Sequence, residues 1–191
     1  MRKILLLFLA VLMLGLTSCD RHVVSEKVWK KAFTLESFSN VTFIIINGEN
    51  EKENCDKVTI KVDDGKYFYL TESIYDESKG FEETSLVYYE TDPDGYSWEY
   101  YKDPDGEWTK HLASNRALDI FANMFETLES AYQFFEYDKS IHTYIAKDGG
   151  EYTVLFEDNK VVKITEIEHN NTYSYEFIDY GKTVVELPIV E

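Results

Sequence analysis

From residue 40 onward, apolar and polar residues mostly alternate with a period of two, which is the signature of half-buried strands. In "KVTIKVDDGKYFYLTES", Val58, Ile60 and Val62 share one face, Asp64-Gly65 follows, and an aromatic run begins. Asp-Gly between alternating segments predicts a two-residue hairpin, because both turn positions need positive φ. The run "VTFIIIN" (41–47) is β-branched and continuous, so a strand buried on both faces is expected there. Further turns at Asp148-Gly149, Asp158-Asn159 and Asn170-Asn171 separate four strand-like segments at ten- and twelve-residue intervals, the rhythm of an antiparallel meander.

Two stretches change period. In "SEKVWKKAFTLESF", Val28, Trp29, Ala32 and Phe33 fall on one helical face behind Ser25 as N-cap, predicting a helix from about Glu26 to Leu35. In "SNRALDIFANMFETLES", Leu118, Phe121, Ala122, Phe125 and Leu128 align on one face with Ser114 as cap. That pattern predicts an amphipathic helix of about four turns lying across the sheet.

Two copies of Asp-Pro-Asp-Gly, at 92–95 and 103–106, pose a choice between calcium loops and turns. Proline presets φ for the second turn position, and glycine accepts the left-handed conformation after it. The seven residues from Tyr96 to Lys102 span roughly 23 Å as a strand, so the two copies sit at opposite ends of it and share no ion. Each copy alone offers two close carboxylates, where a calcium loop draws on about six or more oxygens. Turns are expected. A choline-type wall repeat fails as well, because the flanks of the two copies do not align.

The N-terminus is different in kind. Arg2 and Lys3 precede an apolar run from Ile4 to Leu16, too short for the roughly 20 residues of a membrane span and of the right length for a secretory signal. The next residues, Leu16-Thr17-Ser18-Cys19, resemble the lipobox of bacterial lipoprotein precursors. The resemblance implies a signal peptide over 1–18 and diacylglycerol on Cys19, which becomes the mature N-terminus. It further implies a short spacer within 19–25 and one β-rich domain over 26–191. Two acyl chains hold a protein stably on a bilayer. A membrane-anchored location on the extracellular or periplasmic side is therefore expected. Asp20 would favour inner-membrane retention in a two-membrane bacterium.

Charge and cysteine content narrow the partners. Removing residues 1–18 takes two of the 19 basic residues and none of the 36 acidic ones, so the formal charge moves from −17 to −19. Such a chain repels nucleic acid and anionic headgroups. Once Cys19 is lipidated, Cys55 has no partner within the chain, so an internal disulfide is excluded. The four histidines lack metal-ligand spacing, and no phosphate loop, nucleophile elbow or dinucleotide fingerprint is present. No enzyme activity, cofactor or metal is expected, and the protein is expected to be a monomer.

The order of elements is an N-terminal helix, strands, an embedded helix, then a second meander ending "FIDYGKTVVELP". This order resembles the LolA/LppX-like group of bacterial lipoproteins and lipoprotein carriers over residues 26–189, with Tyr180-Gly181 through Leu187-Pro188 the most family-like stretch. The fold class implied is α+β and mainly β: a curved, half-open, barrel-like antiparallel sheet with helices on its concave face. The resemblance also implies a cavity for acyl chains or lipoproteins. Candidate wall residues are Phe43, Ile45, Tyr69, Tyr88, Trp98, Phe156 and Phe177 on the sheet, with Phe121 and Phe125 on the helix. The same side chains would equally build a filled core. In that case the alternative is a surface module that holds a protein or glycan partner through exposed tyrosines and acidic loops.

Overall fold

The backbone forms eleven strands in one antiparallel sheet, followed here in a computed structural model that describes residues 22–47, 55–74, 80–103, 106–113, 119–149, 151–168 and 171–190. The signal segment, Cys19, Asp20, Ser114, Leu118, His169 and Asn170 lie outside those residues. The strands are β1 (Asn40–Asn47), β2 (Cys55–Asp63), β3 (Lys66–Ile74), β4 (Glu82–Thr91), β5 (Ser97–Lys102), β6 (Trp108–Leu112), β7 (Phe135–Asp138), β8 (Thr143–Ala146), β9 (Tyr152–Glu157), β10 (Lys160–Glu168) and β11 (Asn171–Ile178). Their spatial order is β6-β5-β4-β3-β2-β1-β11-β10-β9-β8-β7. Each half is a meander, and the two halves meet at β1 against β11. The outermost strands β6 and β7 do not pair, so the curved sheet stays open, as the α+β reading expects.

Helix α1 (Glu26–Ala32) starts where expected, with Ser25 Oγ accepting from Val28 N at 3.4 Å. It stops three residues early. The Thr34 and Ser37 hydroxyls both donate to the Lys31 carbonyl, at 3.0 and 2.6 Å, and that competition ends the helix. A 3₁₀ turn over Leu35–Phe38 then carries Phe38 into the core. Helix α2 is described over Asp119–Ser130, 12 residues or about three turns, with the start expected at Ser114 outside the described residues, and it buries Phe125 and Leu128 as its periodicity requires. Of the stretch read as spacer, the described residues from His22 onward pack on the domain. Val24 is buried against Tyr144, and His22 Nδ1 lies 2.6 Å from the Phe156 carbonyl oxygen.

The core is two joined aromatic clusters. Phe38 stacks on Phe125 at 4.2 Å and meets Phe43 and Phe177 at 5.7 and 5.4 Å. Trp29 contacts Phe33, Phe135, Tyr144 and Phe156 at 5.0 to 5.3 Å. Strand β1 is fully covered on both faces only at Val41 to Phe43; residues 44–47 are half-buried. The outer cover comes from the C-terminal stretch, which follows β11 without joining the sheet. Its alternation is real: Thr183 and Val185 are buried while Val184 is exposed. Asn40 clamps it by donating to the Thr183 carbonyl at 2.9 Å and accepting from the Thr183 amide at 2.9 Å.

The turn chemistry follows the residues. Asp64 and Gly65 have φ of 42° and 90°, and Asp158 and Asn159 have 48° and 65°, as two-residue hairpins demand. Asn171 begins β11 opposite Glu168, one residue earlier than a turn at 170–171 would allow. Both Asp-Pro-Asp-Gly copies close in the same way at opposite ends of β5. Asp92 N donates to Tyr96 O at 2.9 Å and Asp103 N to Glu107 O at 2.8 Å. The Asp92 carboxylate serves the turn itself, accepting from the Asp94 and Tyr96 amides and from Trp98 Nε1 at 2.9 to 3.0 Å. Those donors, the Trp98 indole foremost, hold its pKa below the ordinary aspartate value. A depressed carboxylate stabilises the fold above its unfolded pKa and loses that contribution as pH falls through its folded pKa. The Trp98 indole N–H resonance is therefore expected to titrate with a midpoint below about 3.9, and a midpoint above that value contradicts the arrangement.

Candidate functional site

The pleat decides what faces inward. On the concave side, paired positions form rows across the strands. One row is Ser73, Asp56, Asn47, Tyr173, Glu166 and Tyr152, each directly opposite the next on adjacent strands β3, β2, β1, β11, β10 and β9. The next row inward is Thr71, Val58, Ile45, Tyr175, Ile164 and Val154. Beyond it lie Tyr69, Ile60, Phe43 and Phe177. Polarity thus falls step by step along the strand direction, from a polar lip to an aromatic floor.

Helix α2 spans this surface and leaves a cavity of about 930 Å3, within the size range of small-molecule sites. Met124, Thr127 and Leu128 of α2 face Ile45, Val58 and Ile60 across it. At the lip, Glu166 accepts hydrogen bonds from the hydroxyls of Tyr152 and Tyr175, the latter at 3.1 Å. Burial first, and then the Glu166 charge, push the Tyr175 hydroxyl far above the ordinary phenol range. Burial does the same to Tyr69. Both therefore remain neutral donors at any physiological pH. Asp56 accepts from the Ser73 hydroxyl at 2.5 Å. The described lining residues include Asp56, Asp148 and Glu166 and no lysine, arginine or histidine.

No model of a known protein family matches this chain, and no curated protein matches it. Among solved structures, LprF from Mycobacterium bovis is similar, with 86% of this chain and 95% of that chain covered, a TM-score of 0.42 and 7% sequence identity.

Of the candidate wall residues, Ile45 and Tyr69 line the cavity. Phe43, Phe125, Phe156 and Phe177 are at most 2% exposed and form the packed floor beneath it. Core and cavity therefore coexist as successive layers. Phe121 belongs to α2, with its side chain outside the described residues. Tyr88 and Trp98 are corrections, because both stand on the convex face. Tyr69 pairs with Val87, so Tyr88 points the other way, against Phe68 and Trp108 at 5.2 and 5.4 Å. In the doublet Tyr88-Tyr89 the inward ring is Tyr89, 5.3 Å from Tyr69. A one-residue slip inverts the face, and a pair of like residues conceals the parity.

The polar lip itself was missed. Alternation places Tyr173, Tyr175 and Phe177 together, but the approach of Glu166 and Tyr152 needs the cross-strand register. Among the described residues no helix is long and apolar enough to span a membrane, and no three His, Cys, Asp or Glu side chains cluster as metal ligands. Cys55 is buried and free.

Proposed function

We propose that this chain is a membrane-tethered, non-enzymatic envelope lipoprotein that holds an amphiphile in the cavity under α2, tail against the aromatic floor and head at the polar lip. The observation that carries the reading is the graded cavity. Apolar rows over Phe43 and Phe177 are open to a lip of tyrosine and carboxylate, all on one continuous sheet face. An acyl chain needs only apolar wall area to bind, worth about 25 cal/mol per Å2 removed from water. The lipobox residues 16–19 supply the tether in this reading, and the order of elements accords with a LolA/LppX-like lipid-handling protein.

The test uses the unlipidated mature chain, Asp20 to Glu191, and an acyl fluorophore with an uncharged head. Saturable uptake is expected. Thr127 is exposed on α2 yet borders the cavity, so Thr127→Trp fills the space with little risk to folding. That variant is expected to weaken the probe at least about tenfold, the scale set by excluding a few buried methylenes. Equal uptake by both proteins, or none by either, rules the cavity out as the binding site.

The second reading, a surface module for a protein or glycan partner, draws on the convex face. There Phe68, Tyr88 and Trp108 form a cross-strand ring ladder beside Tyr100, with Lys110 Nζ 4.8 Å from the Tyr100 ring. A domain that takes up no acyl probe leaves this reading standing.

A further inference from the structure

We infer that the cavity selects amphiphiles whose head carries a protonated amine, held along the row from Asp56 to Glu166. The inference rests on the amphiphile reading above and specifies its ligand class.

Three features of the sheet lead to it. The first is the sign of the lining, which among the described residues holds three carboxylates and no cationic side chain. The second is where the neighbouring lysines go. Lys57 and Lys163 adjoin this region in β2 and β10, but the pleat turns both to the convex face. There Lys57 pairs with Glu72 at 2.9 Å and Lys163 with Glu176 at 3.1 Å. Both lysines are thus paired on the convex face, and neither neutralises the carboxylates on the cavity side.

The third is the state of Glu166. Its oxygens take hydrogen bonds from Tyr152 and Tyr175, which are neutral donors. They orient the carboxylate and satisfy it without cancelling its charge. An ammonium arriving on the cavity side adds the missing counter-charge. A fatty-acid carboxylate arriving there meets like charge in a half-buried setting, where Coulomb terms exceed those in bulk water. Asp56 lies three strands from Glu166, about 14 Å away at ordinary strand spacing. The lip therefore presents a broad negative edge, wide enough to serve a head bearing more than one amine.

Four ligands with the same tail test the head: dodecylamine, dodecanol, dodecyl glucoside and dodecanoate, each displacing the uncharged acyl probe from the unlipidated mature chain. Dodecylamine is expected to bind about tenfold tighter than dodecanol. That lies between the few-fold gain of an exposed ion pair and the larger gain of a buried one. Dodecanoate is expected to be the weakest. Glu166→Gln keeps an acceptor for one tyrosine and offers its amide as donor to the hydroxyl oxygen of the other, so it should lower the ratio of dodecylamine to dodecanol affinity by most of its tenfold. Butylamine, lacking the tail, is expected not to compete, which separates the site from general attraction to an acidic protein.

Dodecylamine binding no tighter than dodecanol overturns the inference and leaves the amphiphile reading intact. A preference that survives Glu166→Gln combined with Asp56→Asn and Asp148→Asn also overturns it. Dodecyl glucoside matching dodecylamine does the same, since the lip would then recognise hydroxyls rather than charge. Failure of every ligand, dodecanol included, rejects the amphiphile reading itself.

Discussion

Replacing Trp29 with alanine is expected to destabilise the protein by about 3–5 kcal/mol, the range for deleting a large aromatic side chain from a packed core. Trp29 is wholly buried and touches α1, the 3₁₀ turn at 132–134, β7, β8 and β9 through ring contacts to Phe33, Tyr132, Phe135, Tyr144 and Phe156. Its indole N–H also donates to the Leu128 carbonyl at 2.6 Å, joining α1 to the last turn of α2. Domains of this size carry a net stability of about 5–15 kcal/mol, so the loss is about a fifth of the total or more. Trp29→Phe keeps most of the ring contacts. The Leu128 carbonyl retains the Ala131 amide at 3.1 Å, so the phenylalanine variant should lose only about 1 kcal/mol. Urea unfolding followed by the fluorescence of Trp98 and Trp108 measures both. A Trp29→Ala loss under about 1 kcal/mol would mean that α1 and α2 are not joined through this residue.

The second large effect concerns location. Cys19→Ser is expected to abolish incorporation of labelled palmitate and to move the protein from the detergent phase to the aqueous phase on phase separation. Each buried methylene contributes about 0.8 kcal/mol to membrane binding, so losing two chains removes essentially all of it. The urea midpoint of the domain should not move, because the substitution leaves the contacts of His22 and Val24 in place. A serine variant that still partitions with membranes and still carries palmitate would place the attachment elsewhere.

Period and turn residues made the architecture legible. Asp64-Gly65 and Asp158-Asn159 marked hairpins because few residue pairs accept two positive φ values in succession. Phe125 and Leu128 marked the buried stripe of α2 for the same local reason. The site was legible only in part. Its floor was found among the candidate aromatics, since large apolar side chains are buried wherever the register places them. Its lip depended on which residue of β10 stands opposite which residue of β9 and β11. The register shift between Val161 and Lys163 changes that parity within β10, so no local pattern placed Glu166 between Tyr152 and Tyr175. Tyr88 and Trp98 failed for a related reason: composition named them, and the pleat put them outside.

In the proposed lipid-anchored state, the way the chain enters the fold would set a posture at the bilayer. From Cys19 to His22 there are three Cα steps, a leash of at most about 11 Å. His22 is fastened to Phe156, four residues along β9 from Tyr152, so the leash attaches roughly 13 Å away from the lip toward the opposite strand end. Were Cys19 acylated as proposed, the domain would stand on that opposite end and its lip would look away from the anchoring leaflet. Cargo would then be exchanged with a carrier or surface across the aqueous gap, and the lipids underfoot would be the ones it reaches least.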